Sequence, residues 1–176
     1  MKIHKLPIHG AYAVELELET DYRGYFTRIF SLDLIKKINP KFSIVQINQC
    51  LSKRKGTIRG IHMQKKPREE AKLIQCLKGS AFDVIVDLRR NSPTYGRWHG
   101  TVVSERNKIL VFVPQGCAHG FQAMTNNTVV QYPVSEFYTP KLEIGIRWDD
   151  PALKIKWPVK KVIVSAKDRK WPDIKL

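Results

Sequence analysis

A mostly β domain, a barrel or a sandwich, is what this sequence predicts, and three observations predict it. Apolar residues alternate with period two in one segment after another. Gly, Pro, Asn and Asp cluster between those segments as turn signals, and a single stretch reads as a helix.

In chain order, AYAVELELE (11–19) alternates first and DYRG (21–24) turns the chain. SLDLIKKIN (31–39) is the helix, with Ser31 in the capping position and Pro40 to stop it. FSIVQINQCL (42–51) alternates again, and GTIRGIHMQ (56–64) reads as strand interrupted by polar residues. AKLIQCL (71–77), AFDVIVDL (81–88), GTVVS (100–104), KILVFVP (108–114) and TVVQYPVSE (128–136) follow, rich in Val, Ile, Leu and Phe. Between them lie KG (78–79), RNSPTYG (90–96), ERN (105–107) and TNN (125–127), while FVPQGCAHGF (112–121) reads as a turn with a histidine. From Pro151 on, Lys, Trp and Pro dominate, and Trp157 and Trp171 are expected to pack over the sheet.

The 176 residues suit one domain, and 43% hydrophobic with 27% charged residues is ordinary for a soluble globular chain. No apolar run approaches the ~20 residues of a membrane span, and MKIHKLPIHGAYAVELELET lacks the apolar core of a signal peptide. The chain is therefore expected in the cytoplasm. Cys50, Cys76 and Cys117 are far apart and odd in number, which predicts reduced, buried thiols. The net charge of +15 implies a general attraction to anions. Its lysines and arginines are scattered, from SKRKGTIR (52–59) to KDRK (167–170), and not gathered on a helix or among aromatics, so nucleic acid is not the expected partner.

Pockets in such folds open between the two sheets, so inward polar residues are the candidates for chemistry. On a regular strand His62 shares a face with Ile58 and Gly60, and Arg59 points the other way. A bulge at Gly60 would bring both to one side. Lys72 alternates in phase with Ile74 and Cys76; on an inward face it needs an anion, and with the strand turned over it stands in water. Asp83 and Asp87 lie opposite Phe82, Val84 and Val86, for which a solvated face is the cheaper reading. Tyr132 is in phase with Val130 and Val134, which points its phenol into apolar surroundings. PQGCAHGF resembles the second half of a cupin metal pattern, but the first half offers only His62, with Gln64 in the place of a second histidine. One histidine from each half is too few ligands, and no metal is expected.

The order RGIH, AKL, DVIVDLR, NSPTYG, PQGCAHGF, YPVSEFYTP, GIRWDDP, SAKD resembles the family of dTDP-4-dehydrorhamnose 3,5-epimerases and related nucleotide-sugar epimerases, over nearly the whole chain. The resemblance implies an all-β, cupin-like β-jelly roll with a few short helices, working as a homodimer with an exchanged N-terminal strand such as AYAVELELE, and needing no cofactor. It also implies roles: His62 as general base, Asp168 as the carboxylate that orients it, Lys72 beside the sugar's 4-keto oxygen and Tyr132 as the acid on the opposite face. Arg59 and His119 would hold the diphosphate, Arg23 would reach the nucleotide sugar across the dimer, and Gln46, Asn48 and Tyr138 would line the site. The residue types suit that chemistry. A C4 ketone acidifies C3 and C5, Lys72 can stabilise the enolate, a neutral histidine can take the proton, and inversion needs a second group opposite.

The family pattern has a glutamate where this chain has Arg28, and a base-contacting aromatic where it has Glu19. Ile47 and Met63 depart as well, standing for an aspartate and a tyrosine. The implied substrate is a nucleotide-diphosphate 4-keto-6-deoxy-hexose of the dTDP type, inverted at C3, C5 or both. Two other readings are weighed: a sugar 3,4-ketoisomerase, which would not need Tyr132, and a non-catalytic anion- or nucleotide-binding protein.

Overall fold

The computed structural model describes residues 1–174. Its strands in chain order are β1 (Lys2–Lys5), β2 (Tyr12–Glu15), β3 (Glu19–Asp21), β4 (Gly24–Phe26), β5 (Gln46–Ser52), β6 (Thr57–Gln64) and β7 (Lys72–Lys78). There follow β8 (Ser80–Asp87), β9 (Trp98–Ser104), β10 (Ile109–Val113), β11 (Cys117–Ala123), β12 (Thr128–Val134), β13 (Glu143–Gly145) and β14 (Ile163–Val164). The helix α1 spans Leu32–Ile38, and 3-10 turns cover Pro140–Leu142 and Asp168–Lys170. One sheet has the order β1-β2-β10-β7-β12-β5; the other runs β13-β6-β11-β8-β9, with β14 beside β6. The strands β3 and β4 pair only with each other.

The central strands of both sheets are covered on both faces, which explains why several of them read as nearly continuous apolar runs. On β10, Val111 and Val113 enter the core between the sheets, whereas Leu110 and Phe112 pack outward with Ile35 of α1 and with Phe42 beyond it. On β8, Ala81 and Ile85 face the inner core, while Val84 and Val86 pack outward with Ile146, Leu153 and Trp157 of the C-terminal segment. Trp171 lies so close over Gly145 that an added Cβ would stand 2.5 Å from its ring. The C-terminal tryptophans therefore pack as expected.

Several expectations need correction. AYAVELELE is two elements: Tyr12–Glu15 pairs within its own chain with β1 and β10, and Glu19 opens the separate β3–β4 hairpin. CAHGFQA is no turn but the strand β11, paired with β6 and β8. Ser31 stands at the helix N-cap, yet its hydroxyl bonds the Asp33 carboxylate, with no bond to the helix backbone. All three thiols are free, with Cys76 and Cys117 buried and Cys50 only half-buried.

Candidate active site

The site begins with an irregularity in β6. Opposite it on β11, Phe121 pairs with Arg59 and His119 with His62, so three steps along β6 match two along β11. The extra residue lies at Gly60–Ile61. Gly60 has φ +97°, and a Cβ there would lie 2.6 Å from the His119 carbonyl oxygen, so glycine alone fits. The bulge returns Arg59 to the inner side, and Arg59 and His62 line one pocket. Alternation resumes beyond it: Ile61 and Met63 pack outward, His62 and Gln64 inward.

Two adjoining hollows share His62, Lys72 and Tyr132. The wider, about 340 Å³, is lined also by Gln46, Asn48, Glu70, Tyr138 and Glu143. The narrower, about 120 Å³, is completed by Cys50, Arg59, His119 and Phe121. His62 comes from one sheet, Tyr132 and Lys72 from the other, so base and acid candidates meet across the gap. His62 keeps 30% of its side-chain surface, at the pocket wall. Burial, then the Lys72 cation, push it well below the ordinary histidine range, so the ring is neutral. Burial pushes Tyr132 up to about 12, so its phenol keeps its proton.

Lys72 is 4% exposed and is ion-paired with Glu70, Nζ to Oε1 3.1 Å. The sequence offered this partner: Glu70 is two residues before Lys72, on the same side of an extended chain. Asp83 and Asp87 are both buried, contrary to the solvated face expected for them. The outer side of β8 is already filled by the C-terminal segment, which leaves both aspartates inside with partners. Asp83 pairs with His119, Oδ1 to Nε2 2.6 Å. Asp87 accepts from Arg89, 2.8 Å, and from Thr94, 2.6 Å. Burial pushes the Asp87 carboxyl up, but these donors and Ser92 outweigh it and hold it below the usual carboxylate range.

Among the described residues Asp168 makes no ion pair with the His62 ring. It accepts from the Gly60 N–H, 3.4 Å, and so touches the bulge. The carboxylate beside the ring is Glu143, 3.9 Å from Nδ1. Glu143 accepts from the Tyr138 hydroxyl and from Lys167 Nζ, each 2.6 Å. Burial works against its charge, yet these two donors hold it below the ordinary range. No pattern in YTPKLEIG singles out this glutamate; the pairing of β13 with β6 sets Glu143 opposite Gln64, at the pocket.

Of the remaining candidates, Gln46 accepts from the Tyr138 N–H, 2.7 Å, and Asn48 lines the wall beside it. The Arg59 guanidinium donates to the Leu51 carbonyl, 3.0 Å, and to Ser52, 3.3 Å. Gln64 is taken up by backbone, donating to the Arg68 and Phe137 carbonyls. Arg23 is not brought to the pocket of its own chain: it sits 75% exposed at the tip of the β3–β4 hairpin, paired with Asp21. Glu19 and Arg28 line a separate surface hollow by that hairpin. Among the described residues no group of three or more His, Cys, Asp or Glu could hold a metal ion.

A family model for dTDP-4-dehydrorhamnose 3,5-epimerase matches residues 5–175. This chain belongs to that family. A dTDP-4-dehydrorhamnose 3,5-epimerase from Methanothermobacter thermautotrophicus is 40% identical to it over 174 residues, 97% of this chain and 93% of the relative. The crystal structure of the Bacillus anthracis epimerase with TDP and pyrophosphate bound superposes with a TM-score of 0.94 at 40% identity, covering 98% of this chain and 99% of that one. A 3'-monoepimerase from Streptomyces bikiniensis in complex with dTDP-quinovose gives a TM-score of 0.89 at 30% identity, covering 97% and 86%. The double sheet is thus the cupin-like jelly roll of an epimerase family, and its members are isomerases.

Proposed function

We propose that this single-domain enzyme epimerises a 4-keto-6-deoxy-hexose carried on a nucleoside diphosphate, at C3, C5 or both, in deoxysugar synthesis of the rhamnose type. The observation that carries the proposal is a neutral His62 and a protonated Tyr132 facing each other from opposite sheets, with the Lys72 ammonium beside them. His62 takes the proton next to the ketone, and the electron pair moves onto O4 as an enolate. Lys72 donates to that oxygen as charge develops, where a preorganised cation is worth most. Tyr132 returns a proton from the other face, which inverts the carbon.

Asp168 acts on His62 through Gly60, holding the N–H of the bulge that presents the base. Arg59 and His119 bind the diphosphate, and Gln46, Asn48 and Tyr138 line the sugar and nucleotide. Thymidine diphosphate is the proposed carrier, supported by the TDP in the Bacillus anthracis relative. Both double and single epimerases occur among the relatives, so inversion at each carbon is read separately.

Two copies are proposed to pair through the β3–β4 hairpin. Tyr22, Tyr25 and Phe26 on it are 97%, 53% and 61% exposed, and the edge strand β5 leaves Ile47 and Leu51 open to receive it. Arg23 would thereby reach the partner's pocket. Three free thiols accord with a reducing compartment, and the cytoplasm is the proposed location.

The test is incubation with dTDP-4-keto-6-deoxyglucose in deuterium oxide, with C3 and C5 followed by NMR. Deuterium at either carbon, with inversion, is expected; no incorporation at both overturns the proposal. Light scattering should give a dimer, and a monomer overturns the pairing.

A further inference from the structure

The charge of +15 is not used up by the pocket. Five exposed cations stand together on the turn that leads from β5 into the Arg59 strand and on the segment against it. Lys53, Arg54 and Lys55 form the turn between β5 and β6, and Lys160 and Lys161 abut it: an added Cβ on Gly56 would collide with the Lys161 carbonyl. The turn is held firmly. The Asn127 N–H donates to the Lys53 carbonyl, 3.2 Å, the Lys55 N–H to Asn126, 2.8 Å, and the Ile163 N–H to the Gly56 carbonyl, 2.9 Å. Among the described residues no carboxylate pairs with any of the five. The turn starts where Arg59 is anchored, for its guanidinium bonds Leu51 and Ser52, immediately before Lys53.

We infer that this basic ledge, Lys53, Arg54 and Lys55 backed by Lys160 and Lys161, draws the nucleoside diphosphate of the substrate toward Arg59. The inference rests on the substrate class proposed above. A fixed set of uncompensated cations at the mouth of a cleft raises the local concentration of an anion without touching the reacting sugar. A nucleic-acid platform would place aromatic rings among the cations. Here the exposed aromatics, Tyr22, Tyr25, Phe26, Phe137 and Tyr138, belong to other segments.

The experiment compares the unaltered protein with K53Q/R54Q/K55Q between about 10 mM and about 150 mM salt, where the Debye length shortens from about 30 Å to about 8 Å. At low salt the variant should lose roughly five- to tenfold in kcat/KM, keep kcat, and show a flatter decline with salt. Calorimetric titration with thymidine diphosphate should show the same loss of affinity, and R54K should behave as the unaltered protein. An unchanged salt dependence in the triple variant overturns the inference. So does salt-sensitive binding of random-sequence DNA that the variant loses while its affinity for thymidine diphosphate is kept. If the unaltered protein binds thymidine diphosphate in this salt-dependent way but exchanges no proton, the ledge stands and the epimerase reading falls.

Discussion

The two strands that carry the proposed base and acid differ in kind. The strand β12 runs in unbroken register with β5 from Thr128 opposite Ser52 to Val134 opposite Gln46, and simple alternation turns Tyr132 inward. The strand β6 cannot place both Arg59 and His62 inside by alternation and does so with an extra residue at Gly60. A regular strand can deliver one kind of group at every second position. A phosphate ligand and a base three residues apart need a bulge.

The comparison is broken most severely from the β6 side. His62→Ala should lower proton exchange at both carbons by about 10³-fold or more, measured by deuterium incorporation, since Glu70 and Glu143, the carboxylates of the same hollow, are tied up with Lys72 and with Tyr138 and Lys167. Tyr132→Phe should leave exchange largely intact while inversion falls by about 10²-fold, measured as deuterated but unepimerised sugar. Full inversion in that variant would remove the tyrosine from its role. Gly60→Ala should cost about 1–3 kcal/mol in chemical denaturation and reduce exchange as well, because the left-handed backbone and the His119 carbonyl both oppose a Cβ. The equivalent change on a regular strand would cost far less.

A smaller effect sharpens how the bulge is held. Asp168→Ala should reduce exchange by roughly tenfold, whereas Asp168→Asn keeps an acceptor for the Gly60 N–H and should retain most of it. Equal loss in both variants would mean that the charge acts on the imidazole directly. The smallest effect is in pH. His62 is held below its ordinary 6.5, so the acid limb of kcat/KM should lie below pH 6.5. The unfolded chain takes up a proton on His62 near pH 6.5 that the folded chain refuses, so folding stability should fall as pH drops from 6.5 toward the folded value. Glu143 raises the His62 pKa, and Glu143→Gln should move that limb further down.

Much of the fold was legible because alternation is local. The segments around Lys72, Tyr132, Val111 and Val84 became strands close to where the pattern put them. The strand β11 was not legible: its residues are buried throughout, so nothing alternates, and Gly116 and Gly120 imitate a turn. Asp83 and Asp87 misled for a related reason. A polar residue opposite an apolar face suggests water, but Trp157 and Leu153 cover that apolar face and the aspartates turn into the interior.

The sequence by itself determined which side chains share a face of each regular strand, because there side-chain direction follows from backbone period alone. It also placed the chain in its family through the order of its motifs. Only the tertiary structure decided which face is inside and which residues meet across the gap, since those pairings join positions far apart in the chain. His62 with Glu143, Asp83 with His119, and Asp168 with Gly60 are contacts of that kind. Even the bulge that Gly60 allows exists because β11 lies alongside, with a register that leaves one residue of β6 unmatched.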